Sequence, residues 1–120
     1  MTSDSAFIAS ADTVLAAIGA ALDTALGEDD DDADNGTDWS LNDGILEIEC
    51  ADGSKLIVNR HVPNREIWVA ARSGGFHFRA EAGAWRDSRS GGELAAQLTL
   101  LLRDQAGLVV DLTGLPPPPA

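Results

Sequence analysis

The chain contains a single cysteine, and it has no lysine or arginine before residue 55. A lone thiol, Cys50, forms no internal disulfide, which suits a reducing compartment. No run of about 18 uninterrupted apolar residues is present to span a membrane. The opening residues Met1-Thr2-Ser3-Asp4 carry no base, so neither a secretory signal nor an Arg-rich transit peptide is expected. These absences predict a cytoplasmic protein. The catalytic signatures are missing too: there is no P-loop, no G-x-S-x-G and no G-x-G-x-x-G. His61 and His77 have no partner at metal-ligand spacing, and Cys50 has no second cysteine. A zinc site or a Cys/His nucleophile therefore has no support, and no enzyme is expected.

What is present is negative charge. Across 120 residues the formal net charge is −12, from 20 acids against 8 bases. Residues 1–54 carry 14 of the acids and none of the bases. A polyanionic half repels phosphate backbones and anionic lipid, so neither nucleic acid nor a membrane is an expected partner. Cations and basic protein surfaces are. The densest stretch is Glu28-Asp29-Asp30-Asp31-Asp32-Ala33-Asp34, flanked by Asp23 and Asp38. A solvated loop is the plain reading of such a run. The metal reading rests on mutual repulsion of about 1 kcal/mol per close carboxylate pair, which a hard cation relieves. Candidate metal ligands are Asp23, Glu28, Asp29, Asp30, Asp31, Asp32, Asp34 and Asp38, in a shallow and weakly selective site. An EF-hand is excluded, since a loop starting at Asp30 puts Asn35 at the glycine position and Leu41 at the glutamate position.

Length bounds the chain to one domain. Phe7, Ala11, Val14, Ile18, Leu22 and Ala25 recur at helical spacing, predicting a helix over residues 4–26. Ser3 or Asp4 would cap it, Gly27 would end it, and Asp12, Ala16, Gly19 and Asp23 would line its exposed face. From Gly36 to Asp87 the period changes to two, between turn signals Asn42-Asp43-Gly44, Asp52-Gly53, Ser73-Gly74-Gly75 and Ala82-Gly83. That predicts an antiparallel meander of five to six strands with one buried face. Cys50 falls in phase with Leu46 and Ile48 and reads as a small buried hydrophobe, while His77 reads as exposed. Ser90 and Glu93 read as a capping box before a second helix with the stripe Leu94, Leu98, Leu101 and Leu102, ended by Gly107. The fold class is α+β, a two-layer sandwich with both terminal helices on one sheet face. The domain covers residues 1–112, and the Pro-rich tail 113–120 is expected to be disordered.

Strand alternation buries Ile67 and Val69 and places Trp68 on the open face. An indole on a wet sheet face is typical of an interface anchor, and Asn59, Arg60, Asn64 and Arg65 would form its polar rim. A register slip, with Trp68 buried, is the competing reading.

The segment Asn59-Arg60-His61-Val62-Pro63-Asn64-Arg65-Glu66-Ile67-Trp68 resembles the frataxin signature: an asparagine, a proline, then a hydrophobe-Trp pair. Gly53-Ser54-Lys55-Leu56-Ile57-Val58 before it, and Gly74-Gly75-Phe76-His77-Phe78 with Trp85 after it, are similar to the bacterial branch, CyaY. The similarity covers roughly residues 4–112. It implies a non-enzymatic iron-binding regulator or iron donor of iron–sulfur cluster assembly. It further implies weak binding of ferrous and ferric iron on acids of the first helix and strand. The implied partners are a cysteine desulfurase and the iron–sulfur scaffold protein, contacted through the residues matching Asn59, Pro63, Asn64 and Trp68. A monomer is expected, with iron-dependent oligomers as the variant state. The chain departs from the family where Gly19 and Ala20 replace exposed acids at the end of the first helix, which displaces the charge into the loop 28–34. An acidic protein-interaction adaptor without functional metal is the alternative, and an iron-oxidising enzyme the third reading.

Overall fold

The computed structural model describes residues 4–27 and 36–118. Helix α1 (Asp4–Gly27) leads into six strands: β1 (Asp38–Asn42), β2 (Ile45–Glu49), β3 (Lys55–His61), β4 (Glu66–Ala71), β5 (Gly74–Glu81) and β6 (Ala84–Asp87). Helix α2 (Leu94–Leu101) follows and closes with a π-helical turn over Leu102–Ala106. The strands form one antiparallel sheet in sequence order, each paired with its neighbour. This is the α+β sandwich that the alternating periods predict.

Tight turns set the register. β1 and β2 are joined by Asp43 and Gly44 at φ 51° and 78°, and β5 and β6 by Ala82 and Gly83 at φ 54° and 79°. Two consecutive positive φ values match the right-handed twist of a hairpin. The register then lines up Leu46 with Val58 and Val69, and Ile67 with Phe78, on the inner face. Phe7, Ala11, Val14, Leu15, Ile18 and Leu22 of α1 meet that face, as do Leu94, Leu98, Leu101 and Leu102. Each such buried side chain contributes about 1.5–3 kcal/mol. Cys50 is buried with them. Helix α1 is nevertheless long and apolar enough to cross a membrane. Its alanine-rich outer face raises the average, while Asp12 and Asp23 interrupt any continuous apolar run. Here its stripe is sunk into the sheet.

Three local readings change. Ser90 and Glu93 do not form a capping box: Glu93 is the residue before α2 and makes no side-chain cap. Ser90 donates its N–H and hydroxyl to Asp87 at 3.0 and 2.8 Å, since a buried carboxylate is a better acceptor than water-exposed backbone is a donor. Gly19 is buried, not exposed, and a Cβ there would lie 2.7 Å from Cη2 of Trp39. The tail expected to be disordered is described through Pro118, with Leu115 packed on the core beside Trp85 and Leu94.

Polar ties fix the far end of the sheet. Gly107, at φ 65°, ends the π-helical turn as the sequence predicts. Within that turn Gln105 accepts from the Arg72 N–H at 3.0 Å and donates to the Ser54 hydroxyl and the Lys55 carbonyl. Asp52 accepts from the Ser54 hydroxyl, the Ser54 N–H and Arg72, which hold its carboxyl at about 2.

Candidate functional site

With both helices on the inner face, the outer face of the sheet is left open. Alternation assigns its rows. Asn42, Ile45, Asn59, Trp68 and His77 share one row across β1 to β5. His61, Glu66, Arg79 and Arg86 share the row on one side of it. Ser40, Glu47 and Ile57 share the row on the other. The face is therefore electrically polarised. Asp38, Glu47 and Glu49 lie on β1 and β2, while Arg79 and Arg86 lie on β5 and β6. Lys55 is paired to Glu47 at 3.3 Å, and Arg86 to Glu93 at 3.3 Å, both in solvent. Exposed pairs of this kind contribute little stability, at most about 1 kcal/mol each, so they shape the field of the face more than they hold it together.

Trp68 sits in the middle of this face, half-buried, on the side the alternation predicts. Its indole is flanked by imidazoles: His61 at 3.6 Å between ring centroids and 10° between planes, His77 at 4.3 Å and 13°. Its Nε1 donates to Glu66 at 2.8 Å. The two histidines have no linear spacing that announces this contact. It follows from strand register, which brings residues nine and seven positions away onto either side of the indole.

The predicted rim is only partly correct. Asn59 lies in the row of Trp68, and Pro63 and Asn64 occupy the exposed β3–β4 turn, closed by the Arg65 N–H to the Val62 carbonyl at 3.0 Å. Arg60 and Arg65 are directed elsewhere. Arg60 is one residue out of phase with Asn59, so it points to the helical side and pairs with Asp12 and Asp43. Arg65, at φ 52°, reaches Asp4 at 2.8 Å at the start of α1. His61, His77 and Glu66 surround Trp68 instead.

Of the candidate metal ligands, Glu28, Asp29, Asp30, Asp31, Asp32 and Asp34 lie outside the described residues. Asp23 and Asp38 both serve Trp39, a residue the sequence reading passes over. Asp23 accepts from the indole Nε1 at 2.9 Å, and Asp38 from the Trp39 backbone N–H at 2.9 Å. Each keeps a second carboxylate oxygen. Among the described residues no group of three or more His, Cys, Asp or Glu side chains is placed to hold a metal ion.

Asp87 is the one buried charged residue among the described positions. Burial pushes its carboxyl up, yet the Ser90 hydroxyl and N–H and the His77 N–H outweigh burial and keep it below its ordinary 3.8. It links the strand that carries His77 to the turn before α2.

The frataxin-like domain model matches residues 1–108 of this chain. The chain is 50% identical over 110 residues to the iron-sulfur cluster assembly protein CyaY of Dechloromonas aromatica, covering 91% of this chain and 97% of that protein. It is 44% identical over 108 residues to the protein of the same name from Burkholderia mallei, covering 90% and 95%. Among solved structures, frataxin from Psychromonas ingrahamii superposes with a TM-score of 0.80 at 29% identity, over 93% of this chain and 99% of that one. Yeast frataxin superposes with a TM-score of 0.64 at 22% identity, over 84% and 80%, a likeness of fold.

Proposed function

Since this chain belongs to the frataxin-like family, we propose that it is a non-catalytic, iron-binding regulator or iron donor in iron–sulfur cluster assembly. It docks on a cysteine desulfurase and its scaffold protein. The observation that carries this reading is the open sheet face with Trp68 at its centre. A large aromatic in a half-buried, hydrogen-bonded pose is the side chain that most often dominates a protein interface. Two relatives, 50% and 44% identical over 91% and 90% of this chain, bear the name iron-sulfur cluster assembly protein. Asn59, Pro63 and Asn64 border the anchor, and the acids of residues 1–54 supply long-range attraction to a basic surface on the desulfurase. Iron is cargo, held weakly by carboxylates and lowering the negative charge as it binds.

The test is binding of the purified chain to its cognate cysteine desulfurase, beside Trp68→Arg, at low and high salt. A buried anchor is worth about 2 kcal/mol or more, so the variant is expected to bind at least about 30-fold more weakly. Raising salt past about 0.15 M, where the screening length is about 8 Å, weakens the wild type further. Salt-independent binding would exclude an acid-driven approach, and wild-type affinity in Trp68→Arg would move the interface off this face.

The engagement of Asp23 and Asp38 by Trp39 favours a second reading, an acidic adaptor with no functional metal. Thermal unfolding with Fe²⁺, Co²⁺ or Ca²⁺ separates the two. A cation that binds only the folded chain, at about 100 times its Kd, adds roughly 2.7 kcal/mol of stability. The iron reading expects a higher Tm than NaCl of equal ionic strength gives; an equal Tm would overturn it.

A further inference from the structure

Trp68 is not free to swing on the open face. His77 stands directly opposite it across the β4–β5 pair, and His61 lies on the diagonal across β3–β4. Strands β3 and β5 flank β4 on either side, so the two imidazoles cover opposite faces of the indole. Their near-parallel planes, at 10° and 13°, are those of stacked rings. Glu66, two residues back on the same strand and hence on the same face, takes the indole N–H. Three groups from three strands therefore restrain one side chain.

We infer that His61, His77 and Glu66 are positioning residues: a clamp that holds Trp68 in its docking pose before a partner arrives. The inference rests on Trp68 being the docking anchor proposed above. An unrestrained indole loses rotamer freedom when it docks, a loss that weakens affinity by about 2- to 12-fold. The clamp removes that loss in advance. Nδ1 of His61 is buried there without a hydrogen-bond partner, so on that side the ring is held by its stack on the indole rather than by a hydrogen bond.

The experiment uses the full chain labelled with ¹⁵N, in which Trp39, Trp68 and Trp85 give three indole signals and Trp68→Phe assigns one. In the wild type the Trp68 signal is expected to show cross-relaxation to both imidazoles. In His61→Gln/His77→Gln the Trp68 signal moves from its wild-type position, and desulfurase binding weakens by about 2- to 12-fold. His61→Phe keeps a flat stacked ring and is expected to retain affinity. An unchanged Trp68 signal in the double variant would overturn the clamp. Wild-type affinity in the double variant, with Trp68→Arg still defective, would overturn the positioning role and leave the anchor standing. Wild-type affinity in Trp68→Arg would overturn the docking reading and the inference with it, a result told apart by the binding arm alone.

Discussion

Replacing Asp87 with alanine is expected to destabilise the fold by about 3 kcal/mol at pH 7, and by less as the pH falls through the folded-state value of the carboxyl. Asp87 is 5% exposed, and its carboxylate accepts three hydrogen bonds: from the Ser90 N–H, the Ser90 hydroxyl and the His77 N–H. Alanine leaves these donors short of an acceptor in a partly buried setting, at about 1–3 kcal/mol for a buried donor and less for one that water reaches. The pH dependence follows from the direction of the shift. Burial raises the carboxyl, but the Ser90 and His77 hydrogen bonds, with Arg89 nearby, hold it below 3.8 in the folded chain. The group releases its proton more readily folded than unfolded. Its stabilisation is complete above the unfolded value of about 3.9 and is lost as pH falls through the folded value. Denaturant titrations at pH 7, 4 and 2.5 measure this directly. Asp87→Asn keeps one acceptor oxygen and no charge, so it is expected to cost less and to show a flat pH profile. A deficit in Asp87→Ala that stays constant down to pH 2.5 would show that the carboxylate form is not what the fold uses. Asp52, held at about 2 chiefly by Ser54, and Asp111, lowered by Thr113, titrate in the same direction, so the whole chain is expected to lose stability below about pH 4.

The role of Asp87 also marks the boundary of what could be read from the sequence. Periodicity suffices where burial is set by one element and one core: Ile67 and Val69 in, Trp68 out, and Leu94, Leu98 and Leu101 of α2 on one stripe with Leu102 of the turn that follows. Turn positions were equally legible, because Asp43-Gly44 and Ala82-Gly83 adopt backbone angles that few other pairs tolerate. Ser90 was misread because a local motif competed with a tertiary partner. The S-x-x-E spacing is real, but the buried Asp87 three residues upstream takes the hydroxyl. Arg60 and Arg65 were grouped with Trp68 by proximity in sequence, while strand phase and a positive φ send them to Asp12 and Asp4. The His61–Trp68–His77 stack needed cross-strand register, which no single segment encodes. Most of the acids singled out as metal ligands belong to residues 28–34, outside the described positions, so the sequence reading remains their only basis.

Gly19 and Trp39 provide the other large effect, and its sign depends on the partner. In an exposed helix interior, glycine to alanine stabilises by about 0.8–1.0 kcal/mol. Gly19 occupies the middle of α1, so helix propensity alone predicts a gain. Space predicts the reverse. A Cβ at residue 19 would stand 2.7 Å from Cη2 and 2.9 Å from Cζ3 of Trp39, closer than carbon atoms approach. The obstacle is a rigid indole tied at Nε1 to Asp23, not the end of a flexible chain. Moving it breaks that hydrogen bond, worth about 1–3 kcal/mol when the acceptor is charged, and overpacks the seam between α1 and β1. Gly19→Ala is therefore expected to destabilise by about 1–2 kcal/mol. In a Trp39→Ala background the obstacle is gone, and the same substitution is expected to stabilise by about 0.8–1.0 kcal/mol. The coupling energy from the double-mutant cycle is then about 2–3 kcal/mol, at the upper end for residues in contact. Urea unfolding of the four proteins supplies it. If Gly19→Ala stabilises in both backgrounds, Trp39 does not sit over Gly19. If the sign inverts, Gly19 is the seat of the Trp39 indole, and Asp23 holds that indole in place through its Nε1–H.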